Sequence, residues 1–583
     1  MKKRIPFHYA VIGAFALCCV QPVIGTNLLA GPAENAWVTK TMKKMTIEEK
    51  VGQMVTWEFT GNFFSRDSDY LKDLRSLIIN HKIGSFILFG GSAYETAHLT
   101  NALQGMAKLP LLFASDLERG LGNQVGGSTL FPPLMALGAA NSEELAYQMG
   151  RITALEARAM GIHMTYAQVV DVNNNPDNPI INTRSAGEDP DLVSRLAIAF
   201  IKGSQANGLI ATAKHFPGHG DTDQDSHILL PTIRGDRTRL DQVELSTFKR
   251  AIDSGVQAVM TAHLYVPALD PRPNLPATLS RLIMTDLLRN ELGFKGLLVT
   301  DAMNMGGVTK AYSPEDAALK AILAGVDMVL LPPEPARVVS FLVRAARTGE
   351  IPASRINESV RRILEAKARL GLDRNRLVDI NSLDLRVASK ANLAQAYLTF
   401  ESAATLVKNE ANALPLPDMG KKIAVFSLNS DQGDYFAGRA FAEAIKKGYP
   451  ETQVFYADAG TGQDALEEAA GKASGADAFV FALFSTVRAR KGSVDLDPKH
   501  IRLVRQFAEG PAPVIAVSFG SPYFLRNFPE ISDYLCLYRN TPQTQEIAAR
   551  ALFGEVELKG RLPVSLPALY PFGHGILFPK KNK

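Results

Sequence analysis

Three of the ten histidines in this chain fall in one short stretch, Lys214-His215-Phe216-Pro217-Gly218-His219-Gly220-Asp221-Thr222-Asp223-Gln224-Asp225-Ser226-His227. Pro217, Gly218 and Gly220 make it a loop, and a loop crowded with titratable side chains is a candidate reaction site. Two chemistries fit it. As a metal centre, His215, His219, Asp221 and His227 would supply imidazole and carboxylate ligands suited to zinc or iron, although the intervening Pro and Gly break the helical i, i+4 spacing of a common zinc motif. As a proton-transfer device, Asp225 would orient the imidazole of His227, a side chain that exchanges protons near neutral pH.

A proton shuttle needs a reacting partner, and Leu297-Leu298-Val299-Thr300-Asp301-Ala302-Met303 places a carboxylate at the end of an apolar run. Such a carboxylate can attack an anomeric carbon. Retaining glycosidases hold nucleophile and acid about 5 Å apart and pass through a covalent glycosyl-enzyme. The acid is ordinarily a second carboxyl group; here it would be His227.

These residues need a frame that brings them together. Between about 29 and 372, apolar runs alternate with longer helical patterns: Ile83 to Phe89, Leu111 to Ser115, Met164 to Val170, Leu209 to Ala213, Ala258 to Ala262, Leu297 to Thr300 and Met328 to Leu331. With Val51 to Val55 as a doubtful eighth, the α/β pattern predicts a (β/α)8 TIM-type barrel. Asp116, Asp171, Lys214 with His215, His263 and Asp301 each follow one of these runs. In a barrel such positions share the C-terminal rim where active sites sit. One Asp there is readily explained as a helix cap; five strand ends in succession are not.

A polar, helix-rich linker is predicted over 373–417, ending at the prolines of Leu414-Pro415-Leu416-Pro417. An open α/β sandwich follows over 418–583, with strands expected at Lys422 to Ser427, Gln453 to Tyr456, Ala478 to Leu483, Val514 to Val517 and Tyr534 to Tyr538. It carries no Gly-rich phosphate fingerprint.

The Lys214–Thr222 loop with Asp225-Ser226-His227, followed by Val299-Thr300-Asp301-Ala302-Met303, strongly resembles glycoside hydrolase family 3 in its β-N-acetylglucosaminidase branch. The likeness extends to Val170-Asp171-Val172-Asn173, Arg184-Ser185-Ala186-Gly187-Glu188-Asp189-Pro190, Ala262-His263 and the two-domain layout. It implies that Asp301 is the nucleophile and His227 the acid/base with Asp225 as its partner. Asp116, Arg184, Lys214 and His215 are implied to hold the hydroxyls of the terminal sugar, with no metal and no cofactor. The expected activity is retaining hydrolysis of terminal β-N-acetylglucosamine, from an oligosaccharide or a peptidoglycan fragment. Phosphorolysis at the same site, a family 3 β-glucosidase and a non-catalytic sugar-binding protein are the alternatives.

Two features depart from the family pattern. Its Asp-x-Glu-Gly-Gly sequence, with arginines soon after, is replaced by Asp116-Leu117-Glu118-Arg119-Gly120-Leu121-Gly122-Asn123-Gln124, which leaves Arg119 or Gln124 to stand in for the usual arginine. Other β-glycosidases of the family take an acid/base glutamate from the second domain. Glu467, Glu468 and Glu509 lie there in helical or surface contexts, and Asp464 to Glu468 reads as a solvated helix face.

Composition bounds the rest. The formal charge is +4, but Lys2, Lys3, Arg4, Lys580, Lys581 and Lys583 crowd the two ends, and the body between them is nearly neutral. It lacks the basic stripe that nucleic-acid binding requires. No protein partner is implied. Residues 1–25 read as a signal peptide, with a charged start and an apolar run from Ala10 to Val20, so an exported protein is expected, periplasmic or extracellular. Anchoring through the N-terminal segment is the alternative. Cys18 and Cys19 fall inside that signal, leaving Cys536 with no partner for a disulfide.

Overall fold

A computed structural model describes residues 35–416, 421–487, 490–491 and 493–581. The signal segment with Cys18 and Cys19, and the linker-end Pro417, lie outside them. No helix among the described residues is long and apolar enough to cross a membrane.

Eight parallel strands come first: β1 (Val55–Gly61), β2 (Ser85–Gly91), β3 (Leu112–Ser115), β4 (Met164–Thr165), β5 (Ile210–Phe216), β6 (Ala258–Thr261), β7 (Leu297–Val299) and β8 (Val329–Leu330). They pair in the order β7-β6-β5-β4-β3-β2-β1-β8. The Thr300 amide donates to the Met328 carbonyl at 3.0 Å, bringing the β7 end against β8 and closing the ring. Most strand residues are buried, as expected when helices cover one face and side-chain layers fill the other.

At the N-terminal end, buried Asp327 receives Arg289 at 2.7 Å, Arg362 at 3.0 Å, Arg355 at 3.2 Å and the Leu298 amide of β7 at 3.1 Å. Burial pushes its carboxyl up, and the three guanidiniums outweigh that and hold it down. The staple joins β7 to β8 at the end opposite the chemistry.

Two barrel strands differ from expectation. Ile47–Gln53 forms a helix rather than opening a strand, because Thr46 and Glu49 make a capping box: Thr46 Oγ1 accepts the Glu49 amide at 3.3 Å, and Glu49 Oε2 accepts the Thr46 amide at 3.0 Å. The first strand therefore begins at Val55. The regular strand predicted over Met164–Val170 stops at Thr165; beyond it the chain stays beside β5 less regularly, its Ala167 and Gln168 carbonyls accepting the Thr212 and Lys214 amides at 2.8 and 3.1 Å, with a Val169–Lys214 bridge.

The second sheet comprises β9 (Thr405–Asn409), β10 (Ile423–Asn429), β11 (Gln453–Ala457), β12 (Ala478–Phe484), β13 (Val514–Ser518) and β14 (Asp533–Cys536). Its order is β11-β10-β12-β13-β14-β9, parallel except that β9 runs antiparallel along β14. Phe426, Phe481 and Phe507 pack on one side, and Phe441, Phe484 and Phe519 on the other. β9 falls inside the stretch read from sequence as a helical linker. Cys536 is buried, and burial pushes its thiol up to about 12, so it is inert.

The domains share a core and polar contacts. Met135, Ala136 and Ala139 of the barrel helix Leu134–Ala140 pack into an apolar cluster of the second domain. Ser565 donates to Glu188 through its amide at 2.8 Å and its hydroxyl at 2.5 Å. Arg526 meets Asp177 at 3.0 Å, and Asn173 Nδ2 donates to Tyr523 Oη at 3.2 Å.

Candidate active site

Asp116, Asp171, His263 and Asp301 all come from the C-terminal rim, immediately after β3 or β7 or a short distance beyond β4 and β6. Lys214 and His215 belong to the end of β5 itself. The loop they open folds back on the barrel because glycine allows it: a Cβ on Gly220 would stand 1.7 Å from the Val172 carbonyl oxygen. Gly218 adopts φ 125°, which disfavours other residues. Asp171, fully buried, anchors the loop by accepting the His219 amide at 2.7 Å and His215 Nδ1 at 2.7 Å. Arg184 Nη2 lies 3.3 Å from His215 Nε2.

Asp225 and His227 form a dyad. Oδ1 of Asp225 accepts Nδ1 of His227 at 2.7 Å and its amide at 2.9 Å. The other oxygen, Oδ2, accepts the backbone amide of Arg490, from the second domain, at 2.6 Å. Burial works against the Asp225 charge, but His227 and the Arg490 amide outweigh it and hold the carboxyl below its ordinary range. The aspartate is thus ionised and saturated on the dyad side, while His227 keeps an exposed edge of 28 %.

Asp301 sits across from this dyad on the loop after β7. Its Oδ1 accepts the Ala302 amide at 2.8 Å. Burial raises its pKa, and the imidazoles of His215, His263 and His227 together with that amide more than reverse the effect. An ionised carboxylate among imidazoles is suited to nucleophilic attack. His263 Nε2 donates to the Ala302 carbonyl at 3.1 Å, fixing the peptide that follows Asp301. Further along, the Gly306 amide donates to the His227 carbonyl at 3.1 Å and the Gly307 amide to the Ser226 carbonyl at 3.2 Å. The loop bearing Asp301 therefore carries the dyad loop.

Beside them lies a charged cluster. Lys214 Nζ, almost wholly buried, contacts Asp116 at 2.8 Å and Glu118 at 2.7 Å. Arg184 grips Glu118 through Nη2 at 2.7 Å and Nε at 3.0 Å. Burial opposes the Lys214 charge, and the two carboxylates outweigh it, so the ammonium persists. Burial likewise opposes the Glu118 charge, and Arg184 and Lys214 hold it well down. Asp116 Oδ2 and one donor each on Lys214 and Arg184 have no partner among the described residues.

The two residues that sequence reasoning left without a role are Glu118 and Arg490. Glu118 was visible as part of the Asp116-Leu117-Glu118 pattern, but only the fold shows it charge-balancing Arg184. Arg490 acts through its amide, which carries no residue-type signal. The metal alternative is not assembled: His219 gives both ring nitrogens to hydroxyls, Thr222 at 3.1 Å and Ser226 at 2.8 Å. Asp221 pairs with Arg239 at 2.9 Å. Gln124 does not stand in for the missing arginine; it binds the Gly90 amide and the Asp116 carbonyl. Glu467 and Glu468 lie on the exposed helix Gln463–Ala473, bonded to Gln463 and Lys472.

Comparison with known proteins places this geometry. Residues 46–366 match the glycosyl hydrolase family 3 N-terminal domain, and residues 404–574 its C-terminal domain. The chain belongs to glycoside hydrolase family 3. It is 29% identical over 554 residues to a β-N-acetylglucosaminidase/β-glucosidase of Cellulomonas fimi, covering 91% of this chain and 95% of that one. A family 3 β-N-acetylglucosaminidase structure from Paenibacillus sp. str. FPU-7 superposes with TM-score 0.80 at 32% identity, over 90% of this chain and 99% of that one. The β-glucoside phosphorylase BglX bound to 2FGlc superposes with TM-score 0.81 at 26% identity, over 91% and 96%. The chain is thus a two-domain glycoside hydrolase of this family.

Proposed function

We propose that this enzyme is a retaining exo-β-N-acetylglucosaminidase using Asp301 as nucleophile and His227 as acid/base. The observation that carries this reading is the Asp225–His227 dyad hydrogen-bonded onto the loop that bears Asp301. In the first step Asp301 attacks the anomeric carbon while His227 Nε2 gives its proton to the departing oxygen. Ionised Asp225 stabilises the imidazolium that donates it. In the second step the neutral imidazole takes a proton from water, which displaces the sugar from Asp301. Asp116, Arg184, Lys214 and His215 hold the terminal hydroxyls, and an analogue lacking one would leave charged groups unpaired. The N-terminal segment supports export, which fractionation of an expressing cell would test.

A 5-fluoro N-acetyl-β-glucosaminide with a good leaving group should trap the chain as an adduct on Asp301 in the peptide mass spectrum. Asp301→Ala should give no adduct and lose on the order of 10³-fold or more in kcat. An adduct elsewhere, or activity within tenfold of the parent, removes Asp301 as nucleophile.

The likeness to a phosphorylase supports a second reading. A deprotonated histidine is neutral, so the second step lacks the charge repulsion that a glutamate would exert on phosphate, a few kcal/mol at about 4 Å and an effective dielectric near 20. Turnover in rising phosphate decides it. Free sugar as the sole product supports hydrolysis, and N-acetylglucosamine 1-phosphate as the main product overturns it.

A further inference from the structure

Strands β10 and β12 are neighbours in the second sheet, and β11 lies on the far side of β10. The order of strands reverses there, and in open α/β sheets a ligand ordinarily binds at such a point, outside the carboxyl ends of the strands. Here that position holds the chain's own Lys491. Its Nζ donates to Asp431 Oδ1 at 2.6 Å, to Ser485 Oγ at 2.7 Å and to the Thr486 carbonyl at 3.3 Å, so all three ammonium donors are used. Asp431 lies just past the end of β10, and Ser485 and Thr486 just past the end of β12. Asp431 is buried, and its Oδ2 accepts the Thr486 amide at 3.1 Å. Ser485 Oγ in turn donates to the Asp495 carbonyl at 3.1 Å, tying the departure of the chain from β12 to its return. Lys491 directly follows Arg490, whose amide reaches Asp225 Oδ2 at 2.6 Å. Two consecutive residues therefore engage different domains. Arg490 also stands at φ 66°, a conformation that a residue other than glycine keeps only where its surroundings hold it. The saturated ammonium one residue on supplies that hold.

We propose that the Asp431–Lys491 pair is a positioning device for the acid/base dyad. By fixing the Arg490 amide it keeps the Asp225 carboxylate aligned on His227, and this is the second domain's part in proton transfer. The consequence for catalysis rests on the acid/base role proposed above for His227; the clamp on the Arg490 amide does not. Removing one partner of the pair leaves the other charge uncompensated, so the segment that carries Arg490 must rearrange.

Two measurements on the full chain test it. Hydrogen exchange at the Arg490 amide, resolved to the single residue by mass spectrometry, reads the clamp. The amide should be protected in the parent, and Lys491→Met and Asp431→Asn should each speed its exchange about tenfold or more, with Lys491→Arg returning it to within about threefold of the parent. Unchanged protection in both variants overturns the clamp. Circular dichroism melting checks the fold, and either variant serves if the other does not fold. Steady-state kinetics reads the consequence. In Lys491→Met, kcat/KM should fall about tenfold or more on the β-linked N-acetylglucosamine disaccharide and less than about threefold on a 2,4-dinitrophenyl N-acetyl-β-glucosaminide, whose leaving group needs little proton donation. In an Asp225→Ala background the same substitution should change neither substrate by more than about threefold, because its effect passes through Asp225. Equal losses on both substrates, or a full loss added to that of Asp225→Ala, overturn the positioning role. If Asp225→Ala itself slows the two substrates equally, the acid/base reading fails, while the exchange measurement still decides the clamp.

Discussion

At the scale of single residues, the dyad and its neighbour His219 make opposite demands on an imidazole. In the proposed mechanism His227 carries a proton to an oxygen and loses it again, so His227→Ala should slow natural glycosides far more than aryl glycosides with good leaving groups. Steady-state kinetics on both substrate types checks this, and equal losses would assign His227 a structural or sugar-holding task. His219 must stay neutral. Burial holds its pKa down to about 4 from 6.5, so the folded chain takes up this proton less readily than the unfolded one. The associated stability is complete above pH 6.5 and is lost as pH falls towards 4, roughly 3 kcal/mol in all. His219→Gln, which can still bond Thr222 and Ser226, should flatten the fall in melting temperature between pH 6.5 and 4. An unchanged slope would place the acid sensitivity elsewhere, with buried His500, also held near 4, the next group to replace.

At the scale of elements, the segment after β12 reaches out of the second domain to cap Asp225 with the Arg490 amide. Arg490 has φ 66°, a conformation glycine adopts freely, so Arg490→Gly should keep the contact and near-parental kinetics. Arg490→Pro removes the N–H and, because proline cannot adopt a positive φ, also shifts the segment, so it should show at least the pattern of Asp225→Ala, a loss larger on natural than on aryl glycosides. Identical kinetics in both variants would show that the amide contact does not govern proton transfer. This contact also marks the limit of what could be read from the chain alone. That Asp301, Asp225, His227 and the charged rim meet was legible because strand ends in a barrel converge and because clustered titratable side chains stand out in a sequence. The strand at Thr405–Asn409 was not: five residues at a sheet edge, directly after a helix, give too short a pattern to separate from a linker. The first barrel strand was misplaced by four residues, since Val51 and its neighbours are apolar in a helix for the same reason they would be in a strand. Backbone amides leave no trace in the sequence at all.

At the scale of the whole molecule, the motif running from Arg184 to Pro190 serves three purposes at once. Arg184 faces the site, Glu188 binds Ser565 of the second domain, and Asp189 caps the helix Pro190–Ala206 by accepting the Leu192 amide at 2.7 Å. A carboxylate accepting two such bonds contributes about 1.5–3 kcal/mol for each. Glu188→Ala should therefore loosen the domains, and differential scanning calorimetry should show one cooperative transition in the parent broadening or splitting in the variant. A single transition at the parental temperature would mean that the shared apolar core at Met135, Ala136 and Ala139 suffices.

The two bonds from Gly306 and Gly307 to the dyad loop act as a length standard. The few residues between Asp301 and Gly306 help to set how far the Asp301 carboxylate stands from the His227 imidazole. One residue inserted there would lengthen the standard. A gap stretched from about 5 Å to beyond about 6.5 Å admits a water molecule and changes the stereochemistry that the same groups can deliver. Under the proposed mechanism, the anomeric configuration of the product, a property of the sugar, is in this way recorded as a count of peptide bonds in the enzyme.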